Sequence, residues 1–252
     1  MNIKGISFIG VDERTDYDKM LRLQELTDIP LEFGVLYSPS KNGKANRYPS
    51  EGFVEKFGTK YANENLSLHL CGTSVDDFFN NPKDKRLYEN YKRIQLNFSI
   101  NTYKTWDVTT KTNDYFDLTH KLAFAVFTAN RPLIVQYNKS KKEFVDGYIA
   151  NSWHVVDNLH VLFDASGGFG KTLTTASKAI NGVYCGYAGG INPNTVQDIV
   201  KSIVKVNGAE TPFYIDMESG VRDEDDWFSL DACEEIIEKV NELRHYDLKS
   251  YD

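Results

Sequence analysis

Eight short apolar runs, spread over the whole chain and separated by stretches of helical periodicity, constrain the fold more than any other feature. They are Gly5–Gly10, Leu31–Tyr37, Leu66–Leu70, Arg93–Phe98, Leu133–Tyr137, Leu159–Phe163, Gly182–Tyr187 and Pro212–Met217. Each is rich in Ile, Val, Leu, Phe or Tyr and bounded by polar residues or glycine, the pattern of a strand. Near-continuous apolarity suits strands covered on both faces, as in a parallel sheet. Between them, Asp16–Leu26 sets Met20, Leu23 and Leu26 on one helical face, and Asp114–Ala129 does so with Leu118, Leu122, Ala125 and Val126. Asn194–Val206 opens on a helix-starting Asn-Pro-Asn-Thr, and Leu230–Leu243 repeats the period with Ile236, Ile237, Val240 and Leu243. A short helix is expected within Asn138–Trp153. Asn101–Asn113 is polar and aperiodic and is expected to be a loop on the carboxyl side of the fourth strand. Eight βα units in 252 residues fit a closed (β/α)8 TIM barrel, with an open doubly wound sheet as the alternative. No proline- or serine-rich linker interrupts the pattern, so a single domain over residues 1–252 is expected.

Composition narrows the function. A net charge of −7 argues against a nucleic-acid binder, which needs a basic face, and leaves any anionic ligand to local donors. The three cysteines, Cys71, Cys185 and Cys233, are far apart and form no CxxC pair. Neither a disulfide framework nor a zinc site is expected. The histidines show no metal-binding spacing, and no metal or cofactor is implied. No apolar run approaches the roughly 18 residues of a membrane span. The first residues become charged too soon for a signal peptide, so a cytoplasmic protein is expected, as a monomer or homodimer.

The chemistry concentrates in Val161–Thr172, where an apolar run ends in Asp164 and enters Ser166-Gly167-Gly168-Phe169-Gly170-Lys171-Thr172. Glycine backbone lets amide N–H groups approach an anion closely. One reading is a phosphate-binding P-loop of a nucleotidase, with Lys171 and Thr172 on phosphate and magnesium and Phe213–Asp216 as the acid-tipped strand. Against it, the segment follows the sixth strand-like run and not the first. The other reading is the sixth strand of a barrel, with Asp164 at its carboxyl end and Gly168 and Gly170 beside a ligand. Glycine loops then follow the seventh run (Gly186-Tyr-Ala-Gly189-Gly190) and the eighth (Glu218-Ser219-Gly220-Val221). Those two loops often build a phosphate site in (β/α)8 enzymes, completed by helix N-termini.

These three segments, LFDASGGFGKT, YAGGINPNTV and IDMESGVR, resemble the last three strand-loop motifs of phosphoribosylanthranilate isomerase, in the order found in that family. The resemblance covers roughly Leu159 to Arg222 and is weaker upstream, at FGVLYSPSKNGKANRYPS and IQLNF. It implies a (β/α)8 barrel of tryptophan biosynthesis that performs an Amadori rearrangement of a phosphorylated, ribose-derived ligand without a cofactor. It also implies Asp164 as general acid, protonating the ring oxygen, and a phosphate held at Gly189, Gly190, Ser219 and Gly220. Arg47 matches the arginine that holds the anthranilate carboxylate, a role suited to a two-pronged guanidinium; a surface arginine is the plainer reading.

The family's general base, a cysteine at the end of the first strand, is replaced here by Ile9, which cannot accept a proton. Two substitutes stand open, Asp12 just past the first strand and Cys71 at the end of the third. Asp12 also reads as a loop or cap aspartate, Cys71 as a small buried residue, and His69 nearby as a core histidine. Three functions therefore remain: an isomerase, a non-catalytic sugar-phosphate or nucleotide binder that has lost its base, and a P-loop nucleotidase.

Overall fold

The structure is a computed structural model describing residues 1–81, 86–151, 158–164 and 176–249. All eight runs are strands: β1 (Ile3–Ile9), β2 (Leu31–Tyr37), β3 (Leu66–Cys71), β4 (Arg93–Asn97), β7 (Leu133–Tyr137), β8 (Leu159–Asp164), β9 (Tyr184–Ala188) and β10 (Phe213–Met217). They pair in parallel and in chain order, and β10 closes on β1 through Ile6↔Ile215 and Ser7↔Asp216. The fold is a (β/α)8 barrel, and closure removes the open-sheet alternative.

The expected helices form as α1 (Tyr17–Arg22), α5 (Phe116–Thr128), α6 (Lys142–Asn151), α7 (Val196–Asn207) and α8 (Leu230–Lys249). The sequence reading passed over α2 (Glu51–Lys60), α3 (Thr73–Asn80) and the single turn α4 (Arg86–Glu89). Ser50 starts α2 by accepting a hydrogen bond from the Phe53 amide. Asn101–Asn113 is not a plain loop: β5 (Thr105–Asp107) and β6 (Thr112–Asp114) pair as an antiparallel hairpin. Asp107 makes its turn, accepting from the Thr109 amide and from the Thr109 and Thr110 hydroxyls at 2.7–2.8 Å. Polar side chains close this hairpin without a buried face, so no apolar period marks it.

The strands also alternate more than continuous apolarity suggests. In Leu66-Ser67-Leu68-His69-Leu70-Cys71 and Arg93-Ile94-Gln95-Leu96-Asn97, the leucines and isoleucine join the main core under the helices. The polar residues between them point into the barrel, because successive side chains leave a strand on opposite faces. There Arg93 grips Glu32 through two hydrogen bonds (2.5 and 2.7 Å), meets His160 Nδ1 at 3.1 Å and donates to Ser7 Oγ at 3.2 Å. Its guanidinium lies 4.4 Å from the centre of the Tyr214 ring. One arginine thus ties five strands together across the barrel.

A candidate active site at the carboxyl ends of the strands

A cavity of about 570 Å³ opens where the barrel strands end. Its floor and walls come from β2–β4 and β7–β10, and the loops after β9 and β10 form one side. Gly189 and Gly190 follow β9 with φ of +114° and +67°, a left-handed backbone that turns the chain back over the barrel. Thr195 holds this turn: its hydroxyl donates to the Gly190 carbonyl at 2.6 Å and accepts from the Asn192 amide at 3.0 Å. Helix α7 begins on the next residue. After β10, Ser219–Val221 makes a single tight turn. A Cβ on Gly220 would lie 1.9 Å from the Ile191 carbonyl oxygen, so the two loops touch backbone to backbone. Gly189, Gly190, Ser219 and Gly220 all line the cavity. Bare backbone next to a helix N-terminus is suited to an anion.

Asp164 ends β8, nearly buried at the cavity wall. Gln136 Nε2 donates to its Oδ2 at 3.3 Å, and Gln136 Oε1 in turn accepts from Lys141 Nζ at 3.0 Å. Lys141 is buried, with Nζ 4.6 Å from the centre of the Phe98 ring. Burial pulls its pKa down to about 8, against the pull of Asp164 and Cys71. Cys71 also faces the cavity and accepts from Asn97 Nδ2 at 3.4 Å. Burial pushes its thiol up, which favours the protonated form. His69 lines the floor, and burial lowers it to about 4, so it is neutral at pH 7.

Asp216 was missed as a site residue in its own right. It lines the same cavity, 5% exposed, with an Oδ2 that has no hydrogen-bond partner among the described residues. Burial pushes its carboxyl well above the usual range, and the negative charges of Glu32, Glu218 and Asp164 add to that. A signal was present: Phe213-Tyr-Ile-Asp216 is an apolar run closing on an acid, the same feature that marks Asp164.

The other expectations divide. Asp12 is fully buried but is not among the cavity's lining residues. Its carboxylate accepts from the Phe228 amide at 2.7 Å and the Arg14 amide at 3.1 Å, and lies 3.5 Å from Arg222. Arg222 itself donates to the Gly10 carbonyl. Asp12 is therefore a strut between the end of β1 and the loop after β10, a geometry that argues against its use as a base. Ile9 is buried in the barrel, where Gly34 packs against its Cδ1. Arg47 does line the cavity, but its fork is engaged by Asp226 (2.9 and 2.5 Å) and by Glu218 (2.9 Å). A ligand carboxylate would have to displace one of these acids. Gly168, Gly170, Lys171 and Thr172 lie outside the described residues. Among the described residues, no group of three or more His, Cys, Asp and Glu side chains is placed to hold a metal ion. No helix among them is long and apolar enough to cross a membrane.

The sequence matches no protein-family model and no curated protein. Solved structures do match. TrpF from Jonesia denitrificans superposes with a TM-score of 0.58 at 13% identity, over 94% of this chain and 96% of that one. Phosphoribosyl anthranilate isomerase from Thermus thermophilus gives 0.55 at 13% identity, over 96% and 100%. A 3-hexulose-6-phosphate synthase from Salmonella typhimurium gives 0.51 at 10% identity, over 96% and 99%. At such identities the likeness is one of fold. The family singled out by the three sequence motifs is nevertheless among the folds that the chain matches over nearly its full length.

Proposed function

We propose that this barrel binds a phosphorylated, ribose-derived ligand and catalyses an aldose–ketose isomerisation of the Amadori type, with Asp164 as general acid. One observation carries the reading: a single cavity joins the paired backbone turns at Gly189–Gly190 and Ser219–Gly220 to the acid that ends β8. The phosphate is held by the amides of the turns and the α7 N-terminus. The sugar then reaches over the strand ends to Asp164, which protonates the ring oxygen as the ring opens. Loss of the C2 proton needs a second group. Cys71 carries that role here, across the cavity from the acid, and takes the place of the cysteine that Ile9 displaces.

The second reading, a non-catalytic sugar-phosphate binder, draws support from the protonation states. Burial favours the protonated forms of both Cys71 and Asp216, and Ile9 supplies no base. The two readings part in an in vitro isomerase assay on phosphoribosylanthranilate, joined to complementation of a tryptophan auxotroph. Turnover that falls roughly 10²–10⁴-fold in Asp164→Asn, with phosphate-ligand affinity within about threefold, supports the isomerase. Undiminished turnover in that variant removes Asp164 from the mechanism. Tight ligand binding without turnover selects the binder.

A further inference from the structure

Helix α5 is apolar on two opposite faces. Leu118, Leu122, Ala125 and Val126 are buried against the barrel, as the sequence period predicts. On the far side Phe116, His120, Phe124 and Phe127 recur at spacings of four, four and three, which places them in one stripe along the helix. The three phenylalanines are 66%, 56% and 81% exposed, and the Phe116 and His120 rings are in contact at 4.0 Å between centres. The β5–β6 hairpin that precedes α5 in the chain also exposes Trp106 (61%) and Val108 (78%). Of the seven large apolar side chains exposed among the described residues, five fall in this one segment. Scattered exposed apolar residues need no explanation, but a contiguous stripe does.

We infer that this face is covered by a second copy of the same chain, forming a twofold homodimer through α5. Its size fits. The four aromatic side chains expose roughly 500 Å² per copy, so two copies would bury on the order of 1,000 Å², the scale at which stable interfaces begin. Its pattern is self-complementary. The stripe has an aromatic residue at each end, so an antiparallel pair about a twofold axis sets Phe116 against Phe127 of the partner subunit and His120 against Phe124 of the partner subunit. Antiparallel helices also oppose their dipoles. The nearest charges on the helix, Asp117 and Lys121, are already paired with each other at 2.9 Å, so closure buries no unmatched ion there. The stripe carries no net charge that would select an oppositely charged partner.

Sedimentation velocity on the full chain, from about 1 to 100 μM, tests this together with the variants F116E and F127E. These side chains are exposed, so unchanged far-UV circular dichroism is expected of both variants. The wild type is expected to sediment as a dimer. Each variant places two charges in the interface by symmetry and is expected to weaken the dimer about a hundredfold or more, giving a monomer over most of the range. Leu26→Glu, exposed but off the stripe, is expected to leave the dimer unchanged. A wild type that is monomeric throughout overturns the inference and leaves the stripe to a different protein. A dimer that survives both phenylalanine substitutions overturns it equally, because the contact then lies elsewhere.

Discussion

At the scale of the residue, the barrel sorts four acids that look alike in sequence. Asp164, the last residue of β8, and Asp216, the last but one of β10, face the cavity; Asp12 props a loop; Glu32 is locked to Arg93. The position of an acid relative to its strand decides its fate. Asp216 keeps the side-chain parity of β10, whereas Asp12 lies beyond β1, where parity no longer points anywhere. The elevated carboxyl of Asp216 has a consequence for stability. The folded state holds a proton there that the unfolded chain releases above about pH 4, so its contribution is present at low pH and lost as pH rises towards the folded value. Asp216→Asn is accordingly expected to stabilise the fold more at pH 8 than at pH 4. Urea unfolding of wild type and variant at both values checks this, and a pH-independent difference would count against a protonated Asp216. A carboxyl that burial holds in an unfavourable state, at the wall of the candidate site, is also what a functional residue looks like energetically.

Elements, rather than single side chains, build the proposed anion cradle. The turn after β9 and the turn after β10 meet at Gly220 and Ile191, backbone against backbone. Neither flank can yield by changing a rotamer, so Gly220→Ala is expected to push the turns apart. The cost should be about 3 kcal/mol, near the upper end for overpacking, with at least a tenfold loss of phosphate-ligand affinity. Chemical denaturation and calorimetric titration with ribose 5-phosphate measure the two effects. Normal affinity in the alanine variant would sink the cradle. The glycines themselves were legible in the sequence, as was their grouping after the last two strands. What no local pattern revealed was that the loops touch, since that contact joins residues almost thirty positions apart. The hairpin β5–β6 escaped for a related reason: Asp107 and its threonines satisfy the turn locally, with no apolar face to signal a strand.

For the molecule as a whole, the polar barrel interior makes stability depend on pH. His69 and His160 are both lowered to about 4, chiefly by burial, with the Arg93 charge adding to the effect. Each is neutral when folded yet binds a proton near pH 6.5 when unfolded. A depressed histidine favours the unfolded chain as pH falls, so stability is lost from about 6.5 downwards towards 4. The loss between pH 7 and 5 is expected to be on the order of 1–2 kcal/mol for each histidine. His69→Gln should remove one histidine's share of that loss, about half of what the two histidines contribute, in urea titrations at the two values; the Asp216 proton acts in the opposite sense, and an acid loss unaltered in the variant would place the sensitivity elsewhere.

The pairing of β10 with β1 decided that the sheet closes, whereas the chain's local periodicities determined by themselves the eight strands and most of the helices between them. They do so because burial on one face must repeat with the geometry of the element that carries it. The strand-end acid Asp164 and the two glycine loops were legible for the same reason, each being a short contiguous signal. Only the tertiary structure decided which acid enters the cavity, that Arg47 is already engaged by Asp226 and Glu218, that Ile9 packs against Gly34, and that Asp12 is tied to Arg222 just past β1. Those outcomes depend on charges and backbones brought together across the barrel from distant parts of the chain. No window of neighbouring residues contains that information.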